Sequence, residues 1–294
     1  MTSDDRGTEP IAAAVRVAAR YGYVVEDPVL VQETNNTVVW LRPNEIIAKV
    51  GTWSHSEEAL RREHTVATAL AATGTPIAPP VGDAEPVRDE HSGFLVTLWQ
   101  RLEHDAAREP SPDDVAEALR RLHEGLARYR GELPSFREGV RRARAALDDD
   151  RLMAALGRED RSLLRRAFDR LVAELEAIDY VERPLHGEPH LDNLLATANG
   201  LRWIDLEAVC IGPLEWDVAF LSEEAASLFP EVDAMLLDLL RTLNSARVAA
   251  WCWARADVGD MRTHGRYHLE LVRLAESRSS LGRSATPPDG TVSD

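Results

Sequence analysis

The clearest hydrophobic pattern starts at Val29 and has the two-residue period of strands. Val29, Leu30 and Val31 run into a polar turn at 32–37. Val38-Val39-Trp40-Leu41 follows, then a Pro43-Asn44 turn and Ile46-Ile47-Ala48-Lys49-Val50. Short adjacent strands with tight connections predict an antiparallel meander. A helical period flanks it on both sides. Residues 11–21 are alanine-rich with apolar positions at helical spacing and stop at Gly22; residues 55–72 repeat that spacing and end before the breaker Thr73-Gly74-Thr75-Pro76. Phe94-Leu95-Val96-Thr97-Leu98-Trp99 is the clearest later strand.

Beyond residue 100 the character changes. Apolar strand gives way to a polar run at 100–110, which predicts a boundary. Ser111-Pro112-Asp113-Asp114 then supplies an N-cap, a first-turn proline and acids that suit the exposed N–H groups and dipole of a helix start. That helix runs to about Tyr129, and helical spacing returns near 135–147, 159–178, 214–226, 231–255 and 258–276. Between them, two short apolar segments joined by a polar turn at 197–200 predict a hairpin. The pattern is α+β, with an N-terminal sheet-and-helix lobe at 1–102, a mainly helical lobe at 103–275, and a Ser-, Gly- and Pro-rich tail at 276–294 predicted to be disordered.

Composition narrows the function. The net charge of -16 argues against a nucleic-acid or anionic-membrane partner, since both need a basic surface. With no leader pattern and no apolar run near the roughly 18 residues that span a bilayer, the expectation is a cytoplasmic protein, monomer or homodimer. Cys210 and Cys252 are too few and too isolated for a disulfide framework or a cysteine-based zinc site. Nine acids against one base at 201–240 read either as a solvated helix face or as a field that attracts a cationic substrate. Among 34 lysines and arginines, Lys49 is the single lysine.

The candidate chemistry gathers around that lysine and the hairpin. Lys49 lies within a strand, where its compact charge can meet the α- and β-phosphates of ATP. A carboxylate must orient it. On the next helix Glu63 shares its stripe with Leu60, Val66, Ala67 and Leu70, the side expected to be buried. Asn36 and Thr37, in the turn where a phosphate-covering loop belongs, offer an amide and a hydroxyl; such groups also cap their own turns. Glu188, Asn193 and Asp205 bring oxygen donors to the hairpin, a set suited to Mg²⁺ completed by substrate phosphates. Asn193 and Asp205 are the expected metal ligands and Glu188 the general base for an acceptor hydroxyl. Gly187 permits an unusual backbone angle at a bent loop. His190 and Asp192 either reach the site or fix the loop, Asp217 reads as a structural acid at a helix start, and His123 as a packing and hydrogen-bonding residue of its helix.

With Lys49, Glu63, Arg121-Leu122-His123, His186-Gly187-Glu188, Asn193, Ile204-Asp205-Leu206-Glu207 and the 212–217 segment in this order, the chain resembles the aminoglycoside phosphotransferase and choline kinase-like family over about 25–270. The resemblance implies a bilobal protein-kinase-like fold, with adenine held by the backbone of a hinge at Gln100 and Leu102 and an acceptor pocket in the helical lobe. It implies an ATP- or GTP- and Mg²⁺-dependent O-phosphotransferase acting on a small-molecule hydroxyl, an antibiotic such as an aminoglycoside or a related metabolite. One residue departs from the family pattern. Glu188 stands where the family carries aspartate, and its extra methylene reaches about 1.5 Å further. A nucleotide-binding regulatory pseudokinase is therefore the alternative.

Overall fold

The computed structural model describes residues 5–33, 36–52 and 56–284. The expected turn residues Thr34 and Asn35 and the last ten residues of the expected tail lie outside them. Two compact units emerge, one of residues 1–135 and 182–230, the other of 136–181 and 231–294. The expected division at 102/103 falls inside the first unit, because extended chain near Ile77 joins the later hairpin: Ala78 N–H donates to Trp203 C=O at 2.9 Å.

In the first unit, α1 (Asp5–Arg20) leads into β1 (Asp27–Glu33), β2 (Thr37–Arg42) and β3 (Ile46–Gly51), then α2 (Ser56–Ala72), β4 (Val87–Arg88) and β5 (Leu95–Gln100). The strands form one antiparallel sheet in the order β1-β2-β3-β5-β4. The meander is as expected. The later strand completes it by pairing with β3, Lys49 opposite Thr97.

Alternation decides which side each strand residue serves. Val39, Leu41, Ala48, Val50, Val96 and Leu98 turn one way and pack on Ala13, Ala14, Val17 and Ala18 of α1, all buried. Small residues on α1 bring helix and sheet close, and burying this apolar face is the main stabilising term for the layer. Lys49, Thr97 and Trp99 point the other way, where α2 presents Glu63 and His64.

The rest of this unit holds α3 (Pro112–Leu126), the β6/β9 pair (Arg183–Leu185 with Cys210–Gly212), the β7/β8 hairpin (Leu194–Thr197 with Gly200–Trp203), α6 (Leu214–Val218) and α7 (Glu223–Ala226). Ser111 caps α3 with both arms of a capping box. The single helix expected at 214–226 is broken in two, because Ser222 caps a new helix by accepting from Ala225 N–H at 3.2 Å.

The second unit packs α4 (Arg137–Ala146), α5 (Arg158–Glu176), α8 (Ala234–Ala254) and α9 (Met261–Ser284) around Val140, Leu164, Phe168, Leu171, Leu240 and Leu243. Helix α9 continues through 276–284, so that part of the expected disordered tail is helical. Glu276 is held there by Arg170 of α5. Among the described residues, no helix is long and apolar enough to cross a membrane.

Candidate active site

Every residue of the site described here belongs to the first unit. Lys49 is carried by the second half of β3 and is 9% exposed. Its Nζ donates to Glu63 Oε2 at 2.9 Å and Oε1 at 3.1 Å, and to Asp205 Oδ1 at 2.7 Å. Glu207 forms a third ion pair with it. Glu63 is positioned by the helical stripe, since Leu60, Val66, Ala67 and Leu70 beside it are all buried, and it is 3% exposed. Glu63 Oε1 also accepts from Leu206 N–H at 3.0 Å, which ties α2 to the turn after the hairpin.

The hairpin presents its oxygen donors in different ways. Asn193 ends a short 3₁₀ turn (Leu191–Asn193), and Asp205 follows β8 in a left-handed conformation, φ 61. Positive φ at a residue other than glycine is strained and turns the Asp205 carboxylate back toward Lys49. Asn193 Nδ2 donates to Glu188 C=O at 3.0 Å and lies 3.1 Å from His190 Nε2, so Oδ1 is the amide atom left for a ligand. His190 thus fixes the loop.

Gly187 has φ +91, and a Cβ there would sit 2.1 Å from Ala208 C=O. Conformation and close approach both require glycine.

Asp217 is a structural acid in the first turn of its helix, as expected, and the structure adds what it holds. It lies inside α6, fully buried, and its carboxylate accepts from His186 N–H at 2.9 Å and Gly187 N–H at 2.8 Å. His123 Nε2 of α3 lies 2.7 Å from the same carboxylate. The acid expected to be structural at a helix start holds the backbone of the loop carrying Glu188. His123 buttresses it.

The electrostatics follow from one ammonium facing three carboxylates. Burial works against charge on Lys49, but Asp205, Glu207 and Glu63 outweigh it and keep the ammonium well above its ordinary value. Burial raises the Glu63 and Glu207 carboxyls, against the pull of Lys49. Burial also works against the Asp205 carboxylate, yet Lys49 holds it below its ordinary range. Burial lowers His186, against the pull of Asp217 and Asp205. This is an oxygen-rich, negatively biased cluster. Asn193 and Asp205 fit a hard divalent cation, with Glu63, Asp205 and Glu207 offering oxygens within 4.8 Å of one another.

The remaining expected residues are placed as follows. Asn36 and Thr37 are buried at the start of β2, and Asn36 Nδ2 donates to Glu207 Oε1 at 2.5 Å. Glu188 is half-buried, and its charge adds to the rise of the Glu207 carboxyl. At the end of β5, Gln100 N–H donates to Pro79 C=O and Arg101 N–H to Glu45 C=O, both at 3.0 Å. Gln100 cannot then offer its N–H to a ligand, and Leu102 is the better donor. Sequence reasoning assigned no role to Glu207; its position two residues after Asp205 was the available signal.

The model of the phosphotransferase enzyme family matches residues 29–259. A search of curated proteins finds no match. Among solved structures, the chain is similar to the GDP complex of aminoglycoside 2'-phosphotransferase-IIIa, at 14% identity and TM-score 0.65, covering 94% of this chain and all of that one (100%). It is also similar to the amicoumacin kinase hAmiN in complex with AMP-PNP, Ca²⁺ and Ami, at 14% identity and TM-score 0.63, covering 90% and 95%. A choline/ethanolamine kinase family protein from Mesorhizobium loti gives 16% identity and TM-score 0.62, covering 92% and 94%. At such identities the structures establish the kinase-like α+β fold, while the family rests on the match to most of the chain. The chain belongs to the phosphotransferase enzyme family and is a small-molecule phosphotransferase.

Proposed function

We propose that the protein transfers the γ-phosphoryl group of ATP, or of GTP, to a hydroxyl of a small molecule in the cytoplasm, with an aminoglycoside, another antibiotic or a related metabolite as acceptor. The observation that carries this reading is Lys49 held between Glu63 and Asp205, which joins a phosphate-binding strand to a metal-binding hairpin. Nucleotides in the related structures, GDP in one and AMP-PNP in another, support the choice of donor.

Lys49, oriented by Glu63, neutralises the phosphates, and Asn36 and Thr37 cover them. Gln100 C=O and Leu102 N–H hold the adenine edge, which makes residues 1–102 the nucleotide-binding lobe; 103–275 supply catalysis and acceptor binding. Asn193 Oδ1 and Asp205 would hold Mg²⁺, which would supply charge neutralisation at the transferring phosphates. Glu188 accepts the proton as the acceptor oxygen bonds to phosphorus and the bond from phosphorus to the β-phosphate oxygen breaks, releasing the diphosphate. Positioning and charge neutralisation supply most of the rate.

The test is nucleotide consumption across a panel of aminoglycosides, other hydroxylated antibiotics and amino alcohols. Turnover on at least one acceptor is expected, falling by about a thousandfold or more in Asp205→Ala. Turnover that survives Asp205→Ala would remove the metal assignment. Nucleotide binding without turnover on any acceptor, unchanged in Glu188→Asp, would establish the pseudokinase reading instead.

A further inference from the structure

The loop that carries Glu188 also fixes the direction of one amide. Asn193 is 6% exposed, and its Nδ2 lies 3.0 Å from Glu188 C=O and 3.1 Å from His190 Nε2. A carbonyl oxygen can only accept, so the amide end that meets Glu188 is the nitrogen, and its second hydrogen goes to His190. His190 Nε2 is then the lone-pair nitrogen of a neutral ring, with the proton on Nδ1.

That arrangement strands a donor. Nδ1 is buried without a hydrogen-bond partner, and Asp192 Oδ2, at 3.7 Å, is too far to accept. The other tautomer would set two N–H groups against each other at Asn193. His186, in the same loop, is held the opposite way: its Nδ1 accepts from Glu188 N–H at 3.3 Å, and its Nε2 faces Ile204 C=O at 3.1 Å. The His190 ring lies against Phe220, centroids 6.5 Å apart, and Phe220 packs edge-on against Trp216, whose Nε1 donates to Gly187 C=O at 3.0 Å.

The structure assigns His190 as a positioning residue for Asn193: by accepting from Nδ2 it keeps the amide oxygen, rather than the nitrogen, as the atom offered to a divalent cation that arrives with the nucleotide phosphates. An amide is nearly symmetric in shape, and its hydrogen bonds decide which end a hard cation meets. Glu188 C=O gives only part of that direction, because it also accepts from His190 N–H at 2.9 Å. The role rests on the phosphotransferase reading, whereas the tautomer does not.

The first measurement needs no metal. Long-range proton-nitrogen NMR correlations on the full chain, at about pH 9 where an ordinary imidazole is neutral, should show His190 protonated on Nδ1 and His186 on Nε2, with His190→Gln identifying the signals. A His190 ring protonated on Nε2 overturns the proposal. The second measures Mn²⁺ affinity by electron paramagnetic resonance with a non-hydrolysable ATP analogue, beside metal-free binding of a fluorescent nucleotide and the melting temperature. His190→Ala should weaken Mn²⁺ by about tenfold or more and leave metal-free nucleotide binding unchanged. His190→Gln, whose side-chain oxygen can accept in place of Nε2, should stay within about threefold of the wild type, and His190→Lys, which only donates, should bind no tighter than His190→Ala. Wild-type Mn²⁺ affinity in His190→Ala, whatever its melting temperature, overturns the proposal. So does a His190→Gln as weak as His190→Ala, which assigns the loss to ring packing on Phe220; in both cases the phosphotransferase reading stands. A wild type that binds neither nucleotide nor Mn²⁺ overturns that reading and, with it, the cation toward which the amide is turned.

Discussion

At the residue scale, Asp217 is the most informative side chain outside the proposed ligand set. Its carboxylate collects two backbone N–H groups of the loop and faces His123 in a fully buried position. Asp217→Asn turns one acceptor oxygen into a donor, which cannot accept from a backbone N–H, so the loop must shift. A misplacement of about 1 Å costs roughly a hundredfold in rate, and kcat should fall by that order with nucleotide affinity unchanged. A structural acid alone would lower the melting temperature and leave kcat per folded molecule intact, so measuring kcat, nucleotide affinity and melting together decides the matter. Lys49, Glu63 and Asp205 were legible in the sequence because each depends on local periodicity: alternation in a strand, a stripe on a helix, the end of a hairpin. The partners of Asp217, Glu207 and His123 were not. His123 meets Asp217 across 94 positions and Asn36 meets Glu207 across 171, and no local pattern states which distant backbone a carboxylate will face.

At the element scale, α1 is held to the sheet by more than its alanine face. Arg16 donates from Nε and Nη2 to both oxygens of Asp89 at 2.9 and 2.7 Å, and Ser92 N–H and Oγ–H add two bonds to Oδ2. Arg16 holds the Asp89 carboxyl well below its ordinary range, against the cost of burial. A carboxyl depressed in the folded state contributes stability that is complete above its unfolded pKa, near about 4, and is lost as pH falls below it. Asp89→Asn should therefore cost about 1–2 kcal/mol at pH 7, allowing for the partial exposure of Arg16. Its gap to the wild type should close in melts taken at progressively lower pH below 4. A gap constant with pH would assign the loss to packing. Long elements such as α2, α3, α5 and α8 were readable because many periods average out exceptions. Two- and three-residue strands such as β4, β6 and β9 exist only because a partner strand lies beside them, and they carry no period of their own.

At the scale of the whole molecule, the acidic segment at 201–240 contributes less external field than its composition implies. Asp205 and Glu207 share the charge of Lys49 with Glu63, Asp217 is bound to the loop backbone, and Glu215 is buried. Glu223, Glu224, Glu231, Asp233 and Asp238 remain exposed, and Asp233 is engaged in capping α8, accepting from Met235 and Leu236 N–H. Steering of a cationic acceptor must then come from the net charge of -16 over the whole surface, a long-range effect that salt screens. The consequence is measurable as the ionic-strength dependence of kcat/KM. For a polycationic aminoglycoside it should fall by about tenfold as ionic strength rises from roughly 0.02 to 0.2 M, whereas an uncharged hydroxylated acceptor should change by less than about twofold. Equal, shallow slopes for the two acceptors would mean that charge over the surface does not select the substrate. Selection would then rest on contacts inside the acceptor pocket, and the excess of acid over base would serve solubility alone.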